Sequence, residues 1–316
     1  MKNLKKSLAI TLIAIMVFSM SVLGAVPTPN LVLSLDFEND SGYVLNDISG
    51  AGNHAEFMCV YGLGMRFIES PFGQGLLLDG ASQFFEVSEA VFDRDELTFA
   101  FWTRWEGGAV WQRVFELGSW IQGDHVMMVP RTGDGLFQFS AWNAELQVAV
   151  TANPVDTYWT LPLNEWVHIA VTQNADNIAT IYINGEPLAV NLGIWDGGVA
   201  EFTTVEDTTE IPHISFSYAN NPPAEGVDIF RRIGWAATSA WDATFAGAFD
   251  EVRVFDGVLT SAQIMALVQH NNHLHEYEVE TDGQNLTLII IIIVAASTVL
   301  GIVLPFVLLK SKKKAG

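Results

Sequence analysis

The chain has a single cysteine, Cys59, so no internal disulfide can form, and stability must come from burying apolar surface. Lysine is equally scarce where it matters. All seven lysines sit at the two ends, and none falls between Lys6 and Lys310. Within that interval eight arginines stand against all 36 acids. Such a surface repels nucleic acid and anionic lipid headgroups, which excludes nucleic-acid binding, and it attracts divalent cations or basic partners. Selection by a high-salt habitat and ordinary solubility both remain open as reasons for it. Helix signals are few, there is no internal repeat, and no phosphate-binding glycine loop, Ser/His/Asp arrangement or Cys/His ligand spacing is visible.

Two long apolar runs frame the chain. Lys2, Lys5 and Lys6 precede an uncharged run from 8 to 23, and small residues follow at Gly24 and Ala25, the layout of an export signal over residues 1–25. An uncleaved anchor is the alternative. Residues 286–309 carry no charge and lead directly into Lys310, Lys312, Lys313 and Lys314. At about 1.5 Å per residue a helix of this length crosses a hydrocarbon core about 30 Å thick. The lysines mark 310–316 as a cytoplasmic tail, which places the bulk of the chain at the cell surface. Residues 270–285 read as a polar stalk. The expected protein is therefore a single-pass membrane protein with an N-terminal ectodomain over 30–269.

Between 30 and 256 the pattern is one of short alternating or β-branched runs broken by Gly, Asn, Asp and Pro, which predicts an all-β antiparallel sandwich. The clearest unit runs from Trp166 through Val171, turns at 174–177, continues through Ala179 to Ile183, and reverses at Asn184-Gly185. Asn-Gly supplies the two positive φ values of a type I′ hairpin turn. Pro187, lacking an amide donor, places the next strand at a sheet edge. A final strand ending at Phe255 precedes the one convincing helix, which Thr260 caps.

Three segments, in order, resemble the LamG-like, concanavalin A-like jelly-roll domains: Leu35-Asp36-Phe37-Glu38 followed by Asp47 to His54; Asn164 to Val171 with Tyr182-Ile183-Asn184-Gly185; and Gly247 to Phe255 with Leu259-Thr260. Leu77-Leu78-Asp79-Gly80 and Thr98 to Trp102 sit where that family has a strand pair. The resemblance covers residues 31–268 and implies a jelly roll. It also implies a structural calcium ion, because such domains often hold one with a carboxylate of the last strand, which Asp250 matches, and an acidic residue of the opening motif, which falls on Glu38. The family more often has Asp at that second position. Segments 105–156 and 192–230 match nothing in the family.

Members of the superfamily include glucanases, whose active strand resembles Glu-x-Asp-x-Glu because retaining hydrolysis needs two carboxylates about 5 Å apart. Here Glu206-Asp207-Thr208-Thr209-Glu210 has Thr at the central position, and Glu276, Glu278 and Glu280 lie in the stalk. A zinc cluster of His270, His273, His275 and Glu276 is weighed against a solvated helix end, and the latter is favoured. Tryptophan offers another chemistry, since an exposed indole presents a flat apolar face to a sugar ring while a nearby carboxylate accepts hydroxyl protons. Trp120, Trp195 and Trp241 fall among loop-type residues, with Asp196 and Asp242 beside two of them. Pinning of loops to the sandwich is the alternative role for each. The expected function is lectin-like recognition or adhesion, with a glycan or glycoprotein as partner. A membrane-tethered glycoside hydrolase and a structural envelope or virion-spike component are the alternatives.

Overall fold

The computed structural model describes residues 28–119, 124–143, 147–156, 159–197, 202–217, 230–235 and 242–269. In chain order the strands are β1 (Leu31–Leu35), β2 (Val44–Leu45), β3 (Ala55–Cys59), β4 (Arg66–Ser70), β5 (Gly73–Asp79), β6 (Gln83–Glu86), β7 (Leu97–Trp105), β8 (Phe115–Ser119) and β9 (Asp124–Val129). Then come β10 (Gln138–Asn143), β11 (Val148–Pro154), β12 (Trp166–Gln173), β13 (Ala179–Ile183), β14 (Glu186–Pro187), β15 (Val190–Asp196), β16 (Phe202–Thr208), β17 (Phe230–Ile233) and β18 (Ala246–Phe255). Among the described residues there are two helices, α1 (Glu89–Phe92) between β6 and β7 and α2 (Ser261–Val268) after β18.

One sheet has the order β14-β13-β12-β7-β18-β5-β4, with β1 also paired to β18; the other runs β16-β15-β11-β10-β9-β8-β17-β6-β3-β2. Every strand pairing is antiparallel, as the alternating pattern predicts. The inner faces meet through aromatic rings. Phe99 of β7 lies 5.2 Å from Phe115 of β8, and Phe249 of β18 lies 5.7 Å from Phe85 of β6. Each ring adds edge-to-face attraction to its buried area, so one contiguous core holds both sheets without a disulfide.

Local signals in the sequence act as read. Asn184 and Gly185 have φ of 50° and 88°, closing the β13–β14 turn, and Pro187 ends up on the edge strand. Thr260 Oγ1 accepts the amide of Gln263 at 3.3 Å while Gln263 Oε1 accepts the amide of Thr260 at 2.8 Å, a reciprocal cap that starts α2. On the first strand Val32 and Ser34 are buried as well as Leu33 and Leu35, and the amide of Ser34 donates to the carboxylate of Asp47 at 2.9 Å. Asp47 also accepts the amides of Ser49 and Asn53, which pins the Asp-Ile-Ser-Gly turn to β1.

Close approach of β18 to β7 fixes one glycine. A Cβ on Gly247 would lie 2.2 Å from the backbone oxygen of Arg104 and 2.6 Å from the Phe245 ring. Backbone cannot yield cheaply, so Gly247→Ala is expected to cost about 2–3 kcal/mol as overpacking. Urea unfolding of the variant reads this as a lower midpoint with unchanged slope.

Among the described residues no helix is long and apolar enough to cross a membrane. The expected export signal, stalk, spanning segment 286–309 and basic tail lie outside the described residues, as do His270, His273, His275, Glu276, Glu278 and Glu280.

Candidate functional site

The outward face of the larger sheet carries a pair of stacked indoles. Trp142 lies on β10 and Trp195 on β15, with β11 between them, and their rings are 5.1 Å apart at 20°. Both oppose the same residue, Ala149. Strands separated by one neighbour are roughly 9.6 Å apart, so the rings meet only because the residue beneath them is a methyl group. The inner side of these strands is apolar: Val148, Val150 and Ala152 of β11 and Val190 and Leu192 of β15 are buried. Alternation then turns Ala149, Thr151 and Trp195 outward.

Gly197 completes the seat. Its amide donates to the carbonyl of Gln147 at 2.8 Å, and a Cβ there would lie 2.7 Å from the Trp195 ring. The benzo edge of the indole therefore sits against Gly197, where a side chain would displace it. Trp195 keeps 38% of its surface exposed, while Trp142 is half-buried. The combination makes a preorganised apolar platform beside the polar groups of Gln147 and Thr151.

The other sequence-predicted residues are placed differently. Trp120 and Trp241 lie outside the described residues. Asp196 is exposed and opposes Val148, so the strand alternation sends it to the side opposite Trp195. Asp242 accepts a hydrogen bond from Arg113 Nη2 at 2.5 Å, and Arg113 Nε also reaches Glu116 at 3.1 Å. Trp195 itself belongs to a strand and not to a loop, since Val190, Leu192 and Ile194 supply the alternation that Gly193 masks. Sequence reasoning passed over Trp142; the alternation Phe139, Ala141 inward against Ser140, Trp142 outward was the available signal.

Carboxylates gather on the other sheet. Asp250 is buried, with Oδ2 accepting from Ser70 Oγ at 2.5 Å and Oδ1 from the amide of Glu251 at 2.7 Å. Burial pushes its carboxyl up to about 7, the charges of Glu251 and Glu38 adding to the rise and the Ser70 hydrogen bond opposing it. Glu251 is raised as well, first by burial, and then by Asp36 and Glu38, against the pull of Arg253. Glu38 Oε1 accepts the Gln74 amide at 2.6 Å, in space that a Cβ on Gly73 would fill. Among the described residues no three His, Cys, Asp or Glu side chains converge as metal ligands.

Residues 79–193 match the model of the concanavalin A-like lectin/glucanases superfamily. The chain thus carries the fold that its motifs resemble, and the matched stretch includes β10, β11 and most of β15, so segment 105–156, expected to match nothing in the family, lies inside the match. No curated protein sequence matches the chain. Among solved structures it is similar to domain 4 of AbnA, a GH43 extracellular arabinanase from Geobacillus stearothermophilus in complex with arabinotriose, at 17% identity and TM-score 0.54, over 77% of this chain and 100% of that domain. It is also similar to the binding domain of Paraclostridial Mosquitocidal Protein 1, at 16% identity and TM-score 0.47, over 76% of this chain and 52% of that one. The binding domain of Botulinum Neurotoxin DC in complex with SialylT aligns at 15% identity and TM-score 0.45, over 76% of this chain and 51% of that one. The chain thus spans about half the length of these two toxin domains.

Proposed function

We propose that the protein is a lectin-like recognition module, displayed at the cell surface by its C-terminal segment, that binds a glycan or glycoprotein on the Trp142–Trp195 platform. The observation that carries this reading is the stacked, partly exposed indole pair seated on Ala149 and Gly197. An aromatic pair held in place in advance loses little conformational freedom on binding, so a sugar ring laid against it keeps most of its contact energy. A domain of the same fold bound to arabinotriose supports the reading by analogy of fold. A glycan array probed with the full chain in detergent micelles tests it, and the expected result is binding that vanishes when Trp195 is replaced by Ala.

A second reading concerns Asp250 and Glu251, whose proton affinity is raised by burial and by neighbouring carboxylates, Glu38 for both and Asp36 for Glu251, with Arg253 as the counter-charge of Glu251. We propose that Ca²⁺ settles there on Asp250 and Glu38, completed by carbonyls and water. Hard oxygen donors and an excess of negative charge suit that ion. Adding calcium to the chelated protein is expected to raise its melting temperature by several degrees. An unchanged melting temperature removes the ion from the proposal.

A further inference from the structure

We infer that the Trp142–Trp195 platform selects uncharged glycans and excludes those bearing sialic acid, uronic acid or sulfate. This inference rests on the platform being a glycan site. Its basis is the charge of the strands that build and flank it. β9, β10, β11, β15 and β16 contain no lysine and no arginine; of their acids, Glu206 and Asp207 lie on β16 beside β15, while Asp196 is turned to the side opposite Trp195.

Cations from elsewhere do not make up the deficit. Arg104, Arg113, Arg231, Arg232 and Arg253 are each paired to a glutamate, at Glu106, Glu116, Glu89, Glu86 and Glu251. Arg94 and Arg131 donate to backbone carbonyls, of Ala90 and Gly108. Arg66 lies on β4, in the smaller sheet. The lysines lie only at positions 2, 5 and 6 and beyond residue 309.

An anionic sugar is normally recognised through charge-assisted hydrogen bonds from arginine or lysine, and these strands offer neither. The carboxylate or sulfate would give up part of its hydration without a partner in exchange, and would be repelled by the acids of β16. Discrimination of this kind is a difference of affinities that the missing cation and the repulsion both enlarge. An uncharged sugar meets neither cost. Its hydroxyls can be served by neutral neighbours such as Gln147 and Thr151, while its apolar face covers the indoles.

The test measures binding of the full chain in detergent micelles to a glycan panel in which each uncharged core is paired with its sialylated and its sulfated form, at low and at high NaCl. The expected result is binding of uncharged members, with acidic partners at least about tenfold weaker, a gap that narrows with salt as screening grows. Thr151→Arg, which places a guanidinium beside the indoles on the same face, is expected to bring acidic members up to the affinity of their uncharged partners. If acidic members bind as tightly as uncharged ones to the wild type, this inference is overturned and the platform remains a glycan site. If no member binds, the platform reading itself falls. If Thr151→Arg folds, retains uncharged binding and gains nothing for acidic members, charge is not what selects, and the inference is again overturned.

Discussion

Replacing Trp195 by Ala is expected to weaken glycan binding by about 30-fold, the loss of roughly 2 kcal/mol that marks a central aromatic contact. The melting temperature should barely move, because the ring is 38% exposed and closes no part of the core. Trp142→Ala should fall between, since its ring is half-buried beneath its partner. Gly197→Val isolates position from presence. Both indoles remain, but a side chain now stands where the Trp195 ring lies, 2.7 Å from the new Cβ, so the ring must shift and the stack is lost. An approximately tenfold weakening by isothermal titration is the expected outcome. Equal binding by Gly197→Val and wild type would mean that ring placement does not matter.

The second large effect concerns pH. Asp250 has its carboxyl raised from 3.8 to about 7 in the folded chain, so the folded state holds a proton that the unfolded state has released. Stability from this group is complete below about pH 3.8 and is lost as pH rises towards 7. His168 has the opposite slope. It is buried on β12 against the Trp102 ring at 5.5 Å, its Nδ1 has no hydrogen-bond partner, and burial together with the charge of Arg253 lowers it from 6.5 to about 3. Its stabilising effect is complete above pH 6.5 and is lost as pH falls towards 3.

Between about pH 4 and 6.5 the two slopes oppose each other, each at most about 1.4 kcal/mol per pH unit. Removing either group exposes the other. Asp250→Asn is expected to make the calcium-free protein more stable than wild type at pH 8 and steeply less stable as the pH drops from 6.5 to 4. His168→Phe should reverse that trend, so that stability grows as the pH drops. Urea midpoints for the three proteins at pH 4, 5, 6, 7 and 8 separate the slopes, and parallel curves would show that neither group titrates as described.

Features governed by neighbours in the chain were legible in the sequence. The Asn184-Gly185 turn, the Thr260–Gln263 cap and the edge position of Pro187 each follow from two to four adjacent residues, and the structure shows all three. The jelly-roll motifs were legible for the same reason, since each motif is a strand with its own turn. What could not be read was which strands become neighbours. Trp142 and Trp195 stand more than fifty positions apart, and nothing local announces that β11 alone separates their strands. The pairing of Trp195 with Asp196 was inferred from adjacency in sequence, whereas a strand sends adjacent residues to opposite faces. Asp242 had an open choice of partners until the fold set Arg113 against it.

Hydroxyl-radical footprinting of the full chain, with oxidation of each tryptophan read by mass spectrometry, bears most directly on the glycan platform. Adding a glycan that binds on the array should protect Trp195 strongly and Trp142 in part, and leave Trp102 and Trp166 on the smaller sheet unchanged. Oxidation of Trp195 that is the same with and without a bound glycan would contradict the assignment.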